Sequence, residues 1–403
     1  MRSALLALVA YSSICLAQVP VPPLAEYAQR RAALQKDLDG VVVLFGWVEE
    51  SDEVYRKFQQ SSFQYLTGFE EPGAILIVSP KSQVLFVSPR NERRERYNGK
   101  RVAAGDADAQ QKTGFTEVLG VEKFEARLSK ALEEAAPIYA FPNDTVTPRL
   151  KALAPLRDIK DLTPLLAKLR MKKSAAELET IRYATDASIQ AHLESWKRLK
   201  AGNYEYQAAS SFVQTYTDLG CEKPAYAPIF GSGPNSTILH YNSNRRRMDT
   251  GDIIVIDAAA SCGGYASDIT RSLPINGKFT ARQKEIYDIV LGAQKAAVAA
   301  LKPGVTLAQL TGIAKKYMEE HGGYGKYFIH GVGHHIGLDV HDLSTAGPLE
   351  EGAVVTIEPG IYIPDEKIGV RIEDVYLVTK DGNISLSDKL PKETPELEKA
   401  LAR

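Results

Sequence analysis

Cysteine is scarce in this chain: Cys15, Cys221 and Cys262 are the only three in 403 residues, and none forms a C-x-x-C pair. A cysteine-built zinc site and a dithiol redox motif are therefore excluded, and at most one disulfide remains if Cys15 leaves with an export signal. Net charge is also lacking, since 49 Lys and Arg face 50 Asp and Glu for a formal balance of −1. No global field draws the protein to nucleic acid or to an anionic membrane. Beyond the first residues no segment approaches the roughly 18 uninterrupted apolar residues of a membrane span. A His-Glu-x-x-His motif is absent from the histidine-rich stretch, which excludes the helical zinc-protease arrangement, and Gly231-Ser-Gly233 lacks the third glycine and the lysine of a phosphate loop. What is present is ordinary: 44% apolar and 25% charged residues describe a soluble globular chain, neither disordered nor fibrous.

The first 17 residues carry Arg2, an apolar run at residues 4–10, and small side chains at Cys15 and Ala17. This pattern reads as a signal peptide rather than a buried N-terminal helix, and predicts an exported protein, periplasmic or secreted, with no membrane attachment after cleavage. Residues 18–23 form a proline-rich linker. Helical spacing over residues 24–38, followed by apolar runs at 41–45, 74–78 and 84–87, predicts an α/β layer domain. Near residue 170 a boundary is legible. Thr163-Pro164 opens a short helix, and Ser174-Ala-Ala-Glu177 is a capping box. The long helix it opens has an apolar face of Leu178, Ile181, Ile189, Trp196 and Leu199, with Gly202 expected to close it. The expected division is a signal at 1–17, an N-terminal domain at 18–170 and a second domain at 171–403.

The second domain contains an internal repeat. Leu239-His240, ten residues, then the strand-like Gly251-Asp-Ile-Ile-Val-Ile-Asp257 correspond to Val340-His341, ten residues, then Gly352-Ala-Val-Val-Thr-Ile-Glu358, at a constant offset of 101 (341 − 240 and 358 − 257). A further acid follows each copy, Asp268 and Glu373. Two pseudo-symmetric halves, each with a strand pair and two acids, are therefore expected to converge on one site. A carboxylate ending an apolar strand is costly to desolvate without a cation. Singly, each acid could be a salt bridge or a solvated strand end. Together, four carboxylates and one imidazole balance two divalent ions, whose oxygen-rich ligation favours Mn²⁺, with Co²⁺ or Zn²⁺ as alternatives. Water held between such ions becomes a nucleophile near neutral pH, so the set predicts hydrolysis.

Five of the seven histidines are His240, His330, His334, His335 and His341, and the last four fall within 12 residues of a glycine-rich stretch. That density points to metal ligation and proton transfer. Two basic clusters read differently. Arg90, Arg93, Arg94, Arg96, Lys100 and Arg101 are interrupted by acids and predict a solvated helix, and Arg245-Arg-Arg247 predicts a surface turn. Neither is interleaved with aromatics, so nucleic acid is not an expected partner.

At these residues the chain resembles the pita-bread metallopeptidases, most closely the Xaa-Pro aminopeptidases (aminopeptidase P), with prolidase a near relative. The matching stretches are Ile238-Leu-His-Tyr241, Val255-Ile-Asp257, Tyr265-Ala-Ser-Asp-Ile-Thr-Arg271, His330 to Asp342, Thr356-Ile-Glu-Pro-Gly-Ile-Tyr362 and Gly369-Val-Arg-Ile-Glu-Asp374. In the N-terminal part, Ser62-Phe-Gln-Tyr-Leu-Thr-Gly-Phe-Glu-Glu-Pro72 and Leu85-Phe-Val-Ser-Pro-Arg90 match as well. The resemblance implies an N-terminal α/β domain followed by a pseudo-symmetric pita-bread catalytic domain. It implies that Asp257, Asp268, His334, Glu358 and Glu373 hold a dinuclear centre, usually of Mn²⁺, with Asp268 and Glu373 bridging. Glu358 would help activate the bridging hydroxide. His240, His330, His341 and Tyr362 would line the substrate site, and Arg371 would support the carboxylates. The implied substrates are peptides with proline second, and the implied assembly is a homodimer or homotetramer. Prolidase action on Xaa-Pro dipeptides is the nearest alternative; a metal-free pita-bread binding protein would lack the five ligands. Two departures are visible. His335 stands where relatives commonly have a bulky apolar or aromatic residue, which leaves the ligand choice between His334 and His335 slightly open, though spacing favours His334. Ala258-Ala-Ala-Ser-Cys262 replaces a usual glycine and puts Cys262 near the metals, where it is expected to be oxidation-sensitive.

Overall fold

A computed structural model describes residues 18–49, 58–134, 137–142, 147–275 and 277–402. The signal-like segment 1–17, with Cys15, lies outside the described residues. No helix among them is long and apolar enough to cross a membrane.

Val41–Phe45, Ile75–Ser79 and Ser82–Val87 are strands of a six-stranded mixed sheet that ends at Ile159–Asp161. Their unbroken apolar runs follow from burial on both faces. Val41, Val43, Ile75, Ile77, Val84 and Phe86 pack with helix Phe124–Glu134, while Val42, Leu44, Leu76, Val78, Leu85 and Val87 face the other way. That second cluster continues into Ile181, Ile336, Leu338, Val354 and Val375, so one apolar core joins the sheet to the C-terminal half.

The C-terminal half repeats one unit. Helices Ala175–Trp196 and Glu205–Asp218 accompany the sheet of Ile229–Ser232, Ile253–Asp257 and Thr270–Pro274. Helices Ala281–Ala300 and Leu307–Glu320 accompany Val354–Ile357, Asp374–Thr379 and Gly382–Ser385. Within each unit the first acid-bearing strand pairs antiparallel with the return strand, Asp257 opposite Thr270 and Ile357 opposite Asp374. A bridge between Thr270 and Glu373 joins the two hairpins edge to edge.

The capping box at Ser174 forms as expected, with reciprocal bonds to Glu177. The helix it opens ends at Trp196, six residues before Gly202, which instead takes φ 95° in a later turn and donates to Met248 O. The expectation for Arg90–Arg101 holds, because helix Glu92–Asn98 buries none of its residues. Arg245-Arg-Arg247 is less simple than a surface turn. Arg246 is part-buried and pairs with Asp249 and Asp252, while Arg245 is exposed. Cys262 forms a disulfide with Cys221, which corrects the expectation of an oxidation-sensitive thiol: the sulfur is already oxidised and fully buried.

Candidate metal centre

Backbone pairing brings the acids together. Asp257 ends one strand, and Glu358 follows Val354–Ile357. Glu373 is held beside Thr270, donating its N–H to Thr270 O at 3.1 Å and accepting from Thr270 Oγ1 at 2.7 Å. The histidine-rich stretch runs along Val354–Ile357: Thr356 N donates to His334 O at 2.9 Å, and Glu358 N to Val332 O at 2.7 Å. Gly333 permits this approach, because a Cβ there would lie 2.0 Å from Thr356 O.

His334 is consequently turned toward the acids. Its Nε2 lies 3.4 Å from both Asp268 Oδ2 and Glu358 Oε1, and its Nδ1 is 3.1 Å from the carbonyl of His335. A carbonyl only accepts, so Nδ1 carries a proton and Nε2 is the nitrogen presented to the acids. His335 points elsewhere: it is 4% exposed, its Nδ1 is unpartnered, and Lys173 and Asp342 are its charged neighbours. Donor atoms of Asp268, His334 and Glu373 all lie within 4.8 Å of one another, in a cleft of about 340 Å³ that Asp257, Glu358, His240 and His341 also line.

These residues fit divalent cations. Asp257 Oδ1 and Glu373 Oε1 are buried without a hydrogen-bond partner. Burial drives the Glu373 carboxyl well above its usual range, reinforced by Asp268, Glu358 and Asp257. Burial likewise raises Asp257, against the pull of Arg371, and lifts Glu358 to about 7. For His334, burial lowers the imidazole, but the hydrogen bond and charge of Asp268, with the charge of Glu358, outweigh it and leave the group at about 9. Carboxylates crowded at such cost need more cationic charge than this chain supplies through Arg371 and the His334 imidazole.

Arg371 is buried and donates to Asp257 Oδ2 at 2.5 Å and to Tyr362 Oη at 2.8 Å. Tyr362 Oη in turn lies 2.9 Å from His330 Nε2, while His330 Nδ1 is 2.8 Å from Gly331 O. His330 therefore carries its proton on Nδ1 and accepts from Tyr362. Burial lowers this imidazole to about 4, which keeps it neutral. His240 and His341 are exposed at the cleft, and the His341 ring meets His334 edge-on at 4.3 Å. Its neighbour Asp342 anchors that loop: it is buried, accepts from Arg170, and accepts from Lys173 Nζ at 3.0 Å.

All five expected ligands thus converge, with Arg371, Tyr362 and the three histidines around them. Sequence reasoning missed Tyr226, which donates to Asp268 Oδ1 at 2.5 Å, and Asn242 and Val340, which line the cleft. Nothing in Pro224-Ala-Tyr-Ala-Pro228 signals a role for the tyrosine.

Comparison with known proteins agrees with this geometry. Residues 179–380, half of the chain, match the model of metallopeptidase family M24, and residues 27–139 match the aminopeptidase P N-terminal domain. A Xaa-Pro aminopeptidase of Haemophilus influenzae is 34% identical, covering 93% of this chain and 97% of its own. The structure of aminopeptidase PepP of Pseudomonas aeruginosa superposes with TM-score 0.88 at 31% identity, over 94% of this chain and 98% of that one. A glutamate-to-alanine variant of Escherichia coli aminopeptidase P in complex with substrate superposes with TM-score 0.86 at 30% identity, over the same shares. The chain belongs to metallopeptidase family M24, with an aminopeptidase P N-terminal domain ahead of the M24 catalytic domain.

Proposed function

We propose that this chain is a metal-dependent exopeptidase that releases the N-terminal residue from peptides with proline in second position. The observation that carries the reading is the convergence of four carboxylates and the Nε2 of His334 in one cleft lined by His240 and His341, with His330 tied to it through Tyr362 and Arg371. We further propose two divalent ions, Mn²⁺ by preference, held by Asp257, Asp268, His334, Glu358 and Glu373. Bound there, such ions polarise the scissile carbonyl and acidify water. The chain's own residues supply the rest. Glu358, in the cleft beside the other acids, takes the proton of the attacking water. The proline nitrogen has no N–H and must gain a proton to leave; His341 and His240 stand exposed at the cleft to assist it and to steady charge on the carbonyl oxygen. His330, kept neutral by burial and fixed in orientation by Tyr362 and Gly331, orients the peptide, and Arg371 fixes Asp257.

Export is proposed as well, with cleavage after Ala17 and a mature chain that divides near residue 170. The Cys221–Cys262 disulfide supports it, because such bonds persist in oxidising compartments. Assembly into a dimer or tetramer belongs to the same proposal. The test of the activity compares turnover of Arg-Pro-Pro with that of Gly-Pro by the metal-loaded enzyme. Release of arginine from the tripeptide is expected; hydrolysis of Gly-Pro alone would make the chain a dipeptidase.

A further inference from the structure

Helix Ala175–Trp196 carries a buried polar stripe that the mechanism above does not use. Thr185, Ser188 and His192 are all fully buried, and their spacing of three and four residues places them on one helix face. That face packs against the segment between the first two acids of the site. Ser188 Oγ accepts from Ala260 N at 2.9 Å, and Thr185 Oγ1 lies 3.0 Å from Ser267 Oγ. His192 Nε2 is 2.9 Å from the carbonyl oxygen of Ala258, the residue after Asp257. Because that oxygen can only accept, Nε2 carries the proton, and Nδ1 is left buried without a partner. Burial, with Arg271 nearby, lowers the imidazole to about 3, so the ring is neutral.

An apolar side chain would suit the surroundings of His192 better, since its ring packs between Trp196 and Phe212 and leaves one nitrogen unsatisfied. What the imidazole supplies is one directed bond to the backbone beside a ligand. The ties at Ala258, Ala260 and Ser267 fasten both ends of the segment from Asp257 to Asp268, and Ala258 N to Ile269 O at 3.2 Å closes it.

We infer that the stripe of Thr185, Ser188 and His192, with His192 foremost, positions Asp257 and Asp268 for their cation. His192 is a positioning residue, acting through the Ala258 carbonyl. The inference rests on the metal reading above, and one titration separates them. Mn²⁺ alone is titrated by calorimetry into metal-free full-length wild type, His192→Leu, His192→Gln and Ser188→Ala, with the unfolding midpoint of each metal-free protein measured alongside. Removing such a support weakens metal binding by roughly 10- to 100-fold. That loss is expected in His192→Leu with its metal-free midpoint undiminished. Gln places a donor near the lost Nε2 and is expected to recover most of the affinity; Ser188→Ala weakens binding several-fold and stands in if His192→Leu does not fold. Wild-type affinity in His192→Leu or Ser188→Ala, or a Gln variant as weak as Leu, overturns the inference. A wild type that takes up no Mn²⁺ overturns the metal reading with it.

Discussion

Glu373 and Asp374 are adjacent, both fully buried, and electrostatically opposite. Asp374 is surrounded by compensation: Arg271 at 2.8 Å, Lys392 at 2.8 Å, Ser387 Oγ at 2.7 Å and Gln294 Nε2 at 3.1 Å. Burial alone would raise its carboxyl, but Arg271 and Lys392 hold it below the usual range. Glu373 has Thr270 on one oxygen and nothing on the other, and its carboxyl is pushed well up. One acid is finished by the protein; the other is left for something the protein must bind. Asp342, paired with Arg170 and Lys173, belongs with Asp374. Asp257, whose Oδ1 is unpartnered although Arg371 holds Oδ2, belongs with Glu373, and burial raises the Glu358 carboxyl in the same direction. A buried acid thus marks a binding site by missing its partner, and burial by itself does not distinguish the two kinds.

Substitution breaks the comparison most forcefully. Glu373→Ala is expected to lower kcat/KM by roughly 10³-fold or more, about 4 kcal/mol of transition-state stabilisation, while the metal-free protein unfolds no more easily than wild type. Asp374→Ala strands Arg271 and is expected to cost about 3–5 kcal/mol of stability, read by urea denaturation. Comparable losses of metal-free stability in both variants would erase the distinction. Metal removal has the next largest effect. Chelation is expected to lower wild-type stability by about 2.7 kcal/mol relative to ion at a hundred times its dissociation constant, and to lower Glu373→Ala by clearly less in a thermal melt. The smallest effect is an acid one. Despite its burial, Lys173 and Arg170 hold Asp342 below its ordinary value, so its stabilisation is complete above pH ~3.9, the usual aspartate value, and drains away as pH falls below that. Unfolding midpoints followed downward from pH 6 should drop less steeply in Asp342→Asn than in wild type.

The repeat at an offset of 101 residues was readable because strand-ending acids stand out in apolar surroundings, and the structure makes Asp257 and Glu358 equivalent ends of two hairpins. The imidazole choice was readable only through the resemblance, whose spacing favours His334; physically, His334 and His335 alternate in direction, and pairing with Val355 and Thr356 turns His334 to the cleft. Helix Ala175–Trp196 had a clear start and an obscure end, since a capping box is local whereas the turn at Gly202 is set by Met248 46 residues away (248 − 202). The polar stripe at Thr185, Ser188 and His192 was hidden for a related reason. Its partners are backbone atoms at 258 and 260 and the hydroxyl of Ser267, which no periodicity reveals. Pairing of Cys221 with Cys262 likewise depends on the strands at 223–224 and 260–262 lying side by side.

The central claim is that the acids without protein partners are completed by divalent metal. Equilibrium dialysis of wild type and of Glu373→Ala against Mn²⁺, followed by elemental analysis, tests it most directly. Two ions per wild-type chain and at most one in the variant are expected; a wild type that retains no metal, or a variant that retains as much as wild type, contradicts it.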